Sequence, residues 1–335
     1  MYRNIFAAAC AASVLGTTVQ ADEINVYSYR QPELIKPLFD AFTAETSVDV
    51  NVSFLNKGLV ERLQTEGDRS PADVIVTVDI SRLNAVVEAG VTQPVTSAVI
   101  NANIPSEFRD PEGQWFGLTS RARIIYASKD RVADGEITTY EDLASDKWKG
   151  RICIRSGTNA YNLALTSAVI AHHGEEVAKD WLKGIKSNLA RKPSGNDRSQ
   201  VKAIHAGECD ISLGNTYYMK KMLENEEQVA WADSVRIVFP KFANGGTHVN
   251  LSGMALTKAS PNKENAIKLM EWLTGDTAQQ IYAEQNGEYP LKTGAKASAL
   301  VASWGELISD SKPLIEIAKL RPASLKITEE VGFDE

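Results

Sequence analysis

Residues 24–54 read INVYSYRQPELIKPLFDAFTAETSVDVNVSF, and this stretch decides the fold. Ile24 to Tyr29 is a short run rich in β-branched and aromatic residues, which is typical of a strand. The next segment carries apolar residues at helical spacing, namely Leu34, Ile35, Leu38, Phe39 and Phe42. Val48 to Phe54 then predicts a second strand. The chain therefore opens with a strand, a helix and a strand, the unit from which parallel sheets are built.

Short apolar runs alternate with amphipathic segments through the rest of the chain, which predicts the α/β class. Further strands are predicted at residues 73–78, 124–128, 151–155, 210–213 and 235–239. Further helices are predicted at residues 162–172, 175–189, 199–206 and 263–286. Asp73 to Val78 is nearly all apolar, as expected of a strand that is buried on both faces.

The 335 residues are enough for two lobes, each with its own core. Because the chain has no internal repeat and no low-complexity linker, we expect strands that cross between the lobes to join them. Each lobe would then be discontinuous in sequence, with a cleft between the two. The formal charge of −7 and the lack of basic runs argue against nucleic acid as a partner.

Residues 1–21 are predicted to be an export signal. Arg3 precedes an alanine-rich apolar run at residues 5–19, and Val19-Gln20-Ala21 ends in a small residue, as at a cleavage site. A membrane span is less well supported, because the run is short and Gly16 interrupts it. Cleavage before Asp22 would leave residues 22–335.

Cys153 and Cys209 remain after that cleavage. In an oxidising compartment they form either one disulfide or two buried thiols, and the sequence leaves both open. The sequence has no CxxC, HExxH, GxSxG or Walker motif, and its four histidines show no metal-binding spacing. We therefore expect a protein that is not an enzyme.

Tyrosines follow three predicted strands at their carboxyl ends. Tyr29 ends the first strand, Tyr161 follows the strand and turn at 151–159, and Tyr217 with Tyr218 follows the strand at 210–213. Open α/β sheets place ligands at such ends, so we expect these side chains to converge on the cleft. Tyr27 is an alternative to Tyr29, and the ordinary alternative for any one of them is a half-buried core residue.

Clustered tyrosines suit a hard trivalent cation, which prefers anionic oxygen ligands. A phenol normally loses its proton near pH 10, but a metal ion stabilises the phenolate at neutral pH. Three phenolates would neutralise the charge of a ferric ion. The remaining positions would take an anion such as carbonate, held by the guanidinium of Arg121 or Arg123. The alternative for these arginines is a surface salt bridge. The turn at Ser156 to Asn159 is either an anion site or a helix cap, and capping is favoured.

Six segments together resemble the periplasmic ferric-ion-binding proteins of bacterial iron ABC importers, the tyrosine-rich relatives of the transferrin-like fold. These segments are residues 26–30 (VYSYR), 73–79 (DVIVTVD), 120–123 (SRAR), 156–162 (SGTNAYN), 214–218 (GNTYY) and 286–290 (NGEYP). Their order and spacing are more specific than any one of them, and the similarity runs over essentially the whole chain after the export signal.

The resemblance implies that Tyr161, Tyr217 and Tyr218 are iron ligands, and that Arg121, or less favourably Arg123, holds a synergistic anion. Many members have a His-Tyr pair after the first strand, where this chain has Gln31 and Pro32. Tyr29 or Tyr27 would replace that contribution, or an anion and water would complete the site.

The family's fold implies two hinged α/β lobes of the type II periplasmic binding protein class. The implied boundaries are 22–104, 110–123 and 248–298 for the N-terminal lobe, and 124–247 and 299–335 for the C-terminal lobe. The crossing strands are expected at 118–123 and 248–257. The implied partners are ferric iron and the permease of an ABC importer in the inner membrane, with the protein acting as a periplasmic monomer. The alternative is a binding protein of the same fold for a small anion or an organic solute.

Overall fold

A computed structural model describes residues 22–55 and 57–335. The predicted export signal at residues 1–21 lies outside these described residues. Within the described ranges, no helix is long and apolar enough to cross a membrane.

The strands are β1 (Glu23–Ser28), β2 (Asp49–Phe54), β3 (Val74–Thr77), β4 (Thr92–Gln93), β5 (Phe116–Ser128), β6 (Ile152–Cys153), β7 (Ile211–Asn215), β8 (Val235–Val238), β9 (Val249–Thr257) and β10 (Tyr289–Pro290). The helices are α1 (Pro32–Thr46), α2 (Leu59–Glu66), α3 (Ile80–Glu88), α4 (Ala98–Asn103), α5 (Ala160–His173), α6 (Glu175–Ser187), α7 (Asp197–His205), α8 (Tyr217–Leu223), α9 (Val229–Asp233), α10 (Lys263–Leu273), α11 (Asp276–Ile281), α12 (Ala299–Ala302), α13 (Leu314–Lys319) and α14 (Arg321–Glu330).

The strands lie in the order β2-β1-β3-β9-β5-β7-β6, with β4 paired to β9 and with β8 and β10 paired to β5. The first half of β5 pairs antiparallel with β9, from Phe116 opposite Met254 to Ala122 opposite Val249. Its second half pairs with β7 and β8. The chain is thus an α/β protein of two lobes that share β5, which confirms the predicted fold class.

The opening unit forms as predicted, since β1 and β2 pair in parallel with α1 between them. The strands β3, β5 and β9 are buried along their whole length, which confirms the expectation that the apolar run before Val78 is covered on both faces. These three strands lie at the centre of the sheet. Their buried side chains belong to one hydrophobic core that extends through both lobes.

The single helix predicted at 263–286 is wrong. The chain leaves helical geometry at Gly275, which is extended with φ −77° and ψ 171°, so α10 and α11 are separate. A π-helical turn, Tyr282–Asn286, follows. The two cysteines, which the sequence left open, form a disulfide with a Cα–Cα distance of 5.8 Å. It joins β6 to the residues that lead into β7.

Candidate functional site

A cavity of about 530 Å³ opens between the lobes, and the four tyrosines put forward as metal ligands all line it. Tyr29 lies on the wall formed by the first strands, while Tyr161, Tyr217 and Tyr218 lie on the opposite wall. The structure therefore brings together the strand ends that the sequence indicated.

The three tyrosines of that wall form one cluster. The hydroxyl of Tyr217 donates to the hydroxyl of Tyr161 at 3.3 Å, and the rings of Tyr217 and Tyr218 lie 4.3 Å apart between centroids. Tyr217 and Tyr218 start α8 immediately after β7, so both side chains are directed from a helical turn and not from opposite faces of a strand. Tyr161 is held in the first turn of α5, where the Asn159 side chain accepts from its backbone N–H at 3.0 Å.

Burial keeps the phenols of Tyr217 and Tyr218 protonated. Desolvation raises the pKa of Tyr217 well above 10, and the neighbouring Tyr161 and Tyr218 add to the effect because a second phenolate would repel the first. Desolvation, followed by Tyr161 and Asp197, raises the pKa of Tyr218 to about 12. Tyr217 and Tyr218 are therefore neutral at physiological pH, and only a strong positive charge would convert them to phenolates.

A buried ionic network lies behind the cluster. Arg123 donates to Asp197 at 2.7 Å, to the side-chain oxygen of Asn162 at 2.6 Å and to that of Asn215 at 3.1 Å. Asp197 also accepts from the Asn215 N–H at 3.0 Å and from Arg155 at 2.9 Å. Asn162 follows one clustered tyrosine and Asn215 precedes the other two, so the network fixes the loops that carry them. Arg123 does not line the large cavity.

Arg121, by contrast, lines that cavity. Its side chain is buried and donates to Ser252 Oγ at 3.3 Å and to the carbonyl of Val78. Within the described residues, no carboxylate pairs with it. A buried guanidinium without an acidic partner can receive an anion.

Tyr29 and Tyr27, the two alternatives from the first strand, differ in position. The Tyr29 hydroxyl accepts from the Leu59 N–H at 3.2 Å, and the Arg82 guanidinium lies 4.1 Å above its ring. The Tyr29 oxygen is only the acceptor in this hydrogen bond, so a metal ion could still displace the hydroxyl proton. Tyr27 points elsewhere, since its hydroxyl donates to Glu66 at 2.8 Å and it does not line the cavity.

The turn before α5, which the sequence left between an anion site and a cap, is occupied by the chain itself. The Asp334 carboxylate accepts from the Gly157 N–H at 2.7 Å and from the Ser156 hydroxyl. A side chain at Gly157 would overlap Phe333 and Thr328, so the close approach requires glycine. An internal carboxylate thus takes the place of an external anion.

Several charged residues of the cavity were missed from the sequence, namely Arg30, Arg82, Arg198, Lys221, Glu33 and Glu288. Arg30 and Glu288 form a buried pair at 2.7 Å, and Glu288 also accepts from Thr119 at 2.6 Å. Burial favours the neutral acid, but Arg30 and Arg121 outweigh it and lower the pKa of Glu288. The sequence contained a signal for two of the missed residues. Arg30 directly follows Tyr29, and Lys221 lies one helical turn after Tyr218.

No histidine lines the cavity among the described residues. His172 pairs with Asp310 at 2.8 Å and His173 with Glu141 at 2.7 Å, while His248 is buried, which lowers its pKa to about 4. Over the same part of the chain, no group of three or more His, Cys, Asp or Glu side chains could hold a metal ion.

Comparison with known proteins identifies relatives over nearly the whole chain. Residues 69–308 match the family described as bacterial extracellular solute-binding protein. Iron uptake protein A1 of Synechocystis is 43% identical over 96% of this chain and 90% of its own length. The structure of Mannheimia haemolytica ferric iron-binding protein A in an open conformation is 52% identical, with a TM-score of 0.89 over 94% of this chain and 100% of that one.

A structure of a Trichodesmium protein in complex with iron and citrate ligands is also similar. It is 43% identical to this chain, with a TM-score of 0.88 over 93% of this chain and 99% of that one.

Proposed function

The chain belongs to the bacterial extracellular solute-binding proteins, and on that basis we propose that it is the ferric-iron-binding component of an ABC importer. The observation that carries the proposal is the cluster of Tyr161, Tyr217 and Tyr218 at the cavity between the lobes, with two of the hydroxyls 3.3 Å apart. Relatives at 43% and 52% identity are named for iron uptake and ferric iron binding.

Charge explains why three phenols suit this cargo. A ferric ion that displaces three phenolic protons leaves a neutral centre, which is tolerable in a partly buried cavity. Hard oxygen ligands favour Fe³⁺ over softer metals. Arg121 then holds a small anion on the remaining coordination positions, whereas Arg123, committed to Asp197, supports the tyrosine loops.

Tyr29 is the proposed ligand from the other lobe. It lines the cavity opposite the cluster, and its bond to the Leu59 N–H fixes the position of the oxygen without using the hydroxyl proton. Cleft closure would bring this oxygen toward the metal.

The lobes proposed to close are 22–104, 110–123 and 248–298 on one side, and 124–247 and 299–335 on the other. The change of partners along β5 at Ala122 and Arg123 supports a hinge there. Closure around iron would create the form that a membrane permease recognises. Reduction of iron or protonation of the phenolates would weaken the charge match and favour release. In this proposal the protein acts in the periplasm, as a monomer and not as an enzyme.

The test is a visible absorption titration of the protein with ferric citrate, with and without bicarbonate. Phenolate-to-iron charge transfer predicts a red-orange band that saturates at one equivalent. The variant Tyr217→Phe/Tyr218→Phe should lose the band, whereas Tyr27→Phe should keep it because Tyr27 lies outside the cavity. A wild-type protein that binds without colour would contradict the proposal and favour a small anion or an organic solute.

A further inference from the structure

A second cavity, of about 680 Å³, lies behind the central strands. This rear cavity is lined by residues 106–111, Trp115, Val249 and residues 309–315. Its position follows from β9, since successive side chains of a strand point to opposite faces. Ser252 lines the cavity that contains the tyrosines, whereas Val249, three residues earlier, lines the rear cavity. The two cavities therefore lie on opposite faces of β9.

The walls of the rear cavity are attached to different lobes. On one wall, Arg109 pairs with Phe116 at the start of β5, so residues 106–111 are joined to the first lobe. On the other wall, the Asp310 carboxylate lies 2.8 Å from Nε2 of His172, which belongs to α5 of the second lobe. Helix α13 follows and packs against both α3 and α5. A molecule in the rear cavity would therefore contact both lobes behind the strands that join them.

Hydrogen-bond donors without acceptors line this cavity. Trp115 is only 3% exposed, and over residues 22–55 and 57–335 its indole N–H has no acceptor, unlike those of Trp181 and Trp272. In the same part of the chain, the ammonium group of Lys312 has no hydrogen bond and no ion pair. Arg109 donates only to uncharged oxygens. An acceptor that enters the cavity would satisfy these donors, and an anionic one would bind them most strongly.

The carboxylates of the lining are already engaged or lie at its rim. Asp110 accepts from two backbone N–H groups at 3.0 Å each. Asp310 is held by His172. Glu107 is exposed to solvent. The groups left for a ligand are therefore mainly donors, which favours an anion over a cation.

The rest of the lining is apolar. Val249 and Leu314 are buried, and the rings of Phe108, Pro111 and Pro313 complete the walls. The volume of about 680 Å³ lies within the range of about 300–1,000 Å³ that is usual for sites of small organic molecules. Such walls exclude a small inorganic anion as the best fit, because it would leave them unfilled. The lining suits a molecule with an apolar body and one acidic group.

We propose that the rear cavity binds a small apolar monocarboxylate, with Lys312 as the main partner of its carboxylate, and that the bound acid opposes closure of the cleft. The site is separate from the proposed metal site. Its effect on the cleft rests on the proposed function.

The effect on closure follows from the position of the cavity behind β9. Bending toward the cleft brings the groups in front of the joining strands together and moves the groups behind them apart. An acid that holds both rear walls therefore favours the open cleft. Since linkage is reciprocal, bound iron should weaken binding of the acid by the same factor by which the acid weakens binding of iron.

The experiment uses 1-naphthoate as the probe and its neutral amide, 1-naphthamide, as the comparison. Binding to the iron-free protein is measured by calorimetry. The test variants are Lys312→Gln and Trp115→Phe, which keeps the aromatic ring but removes the N–H. The control, Lys319→Gln, removes the same charge from an exposed position of α13 that does not line the rear cavity. Circular dichroism verifies folding, and ferric nitrilotriacetate titrations of the tyrosinate band then measure iron affinity with and without saturating 1-naphthoate.

We expect one 1-naphthoate per chain and weaker binding of the amide. Affinity should fall at least about 10-fold in Lys312→Gln, since a charge-assisted contact is lost, and less in Trp115→Phe, while Lys319→Gln should match the wild type. Saturating 1-naphthoate should lower the iron affinity of the wild type at least about 5-fold. It should lower that of Lys312→Gln less.

Three results would overturn the proposal: no binding of 1-naphthoate, equal affinity in folded Lys312→Gln, or an iron affinity that 1-naphthoate leaves unchanged. Equal affinity in Lys312→Gln would place the acid elsewhere, for example on the cations of the cavity between the lobes. Absence of the tyrosinate band from the wild type would instead overturn the proposed function and the coupling to closure, whereas binding of the acid to the iron-free protein would still support the site.

Discussion

The raised pKa of Tyr217 and of Tyr218 predicts that iron binding releases protons from both side chains. Burial keeps Tyr217 and Tyr218 protonated far above neutral pH, so each must lose a proton when its oxygen binds the metal. Tyr161, in hydrogen-bond contact with Tyr217, is the third proposed donor. Binding should therefore release about three protons from this cluster, and about one more from Tyr29 as the proposed ligand of the other lobe, anywhere between about pH 5 and 9.

The magnitude follows from linkage. Each released proton changes the binding free energy by about 1.4 kcal/mol per pH unit, which is about tenfold in affinity. The three protons of the cluster alone give about 4 kcal/mol, so affinity for free ferric ion should fall at least about 1000-fold for each unit of acidification. The sign is fixed, because a phenol whose pKa is raised by burial holds its proton more firmly and low pH favours the empty site.

Proton release can be measured directly in weakly buffered solution on addition of ferric nitrilotriacetate. The chelator also exchanges protons, but this contribution cancels when variants are compared with the wild type. Tyr161→Phe, Tyr218→Phe and Tyr29→Phe should each release about one proton fewer, and an unchanged release from Tyr29→Phe would exclude Tyr29 as a ligand. Equal proton release from the wild type and from all the single variants that still bind iron would refute the phenolate argument.

Three further predictions concern the elements that support the site. Replacing Cys153 and Cys209 by serine should lower the free energy of unfolding by about 2–4 kcal/mol, as measured in urea, because the bridge closes a chain separation of 56 residues. Asp334→Ala should cost about 1–3 kcal/mol in the same assay and weaken iron binding, since the turn before α5 loses its acceptor. Gly214→Ala should destabilise by at least about 1–3 kcal/mol, because its methyl group would overlap the Tyr126 ring, while an exposed control, Gly135→Asn, should change little.

The periodicity of the sequence predicted the strand-helix-strand opening and the buried strand before Val78 because side-chain pattern controls those elements directly. The same method joined α10 and α11 into one helix, because the apolar pattern continues across the break. Gly275 has the lowest helix propensity of this stretch, and the chain becomes extended at this residue.

The predicted strand ends indicated which tyrosines line the cavity, but partners that are remote in sequence were missed. Lys221 and Arg198 each appear as ordinary surface cations on a helix, and only the folded chain places them beside the tyrosines. Asp334 could not be predicted for the same reason, since it contacts a turn 177 residues away. The sequence also could not separate Arg121 from Arg123, because residues two apart on one strand point to the same face.

The position of β9 between β3 and β5 determines the order in which the strands of this chain can pair during folding. During synthesis, β3 and β5 emerge long before residues 249–257, so each keeps an unpaired edge until the strand that separates them is made. The sheet of the first lobe cannot be completed until β9 pairs with β3, and folding should be slow because the central pairings join distant parts of the chain. A fragment that stops before Val249 should therefore aggregate through the edges that β9 would have covered.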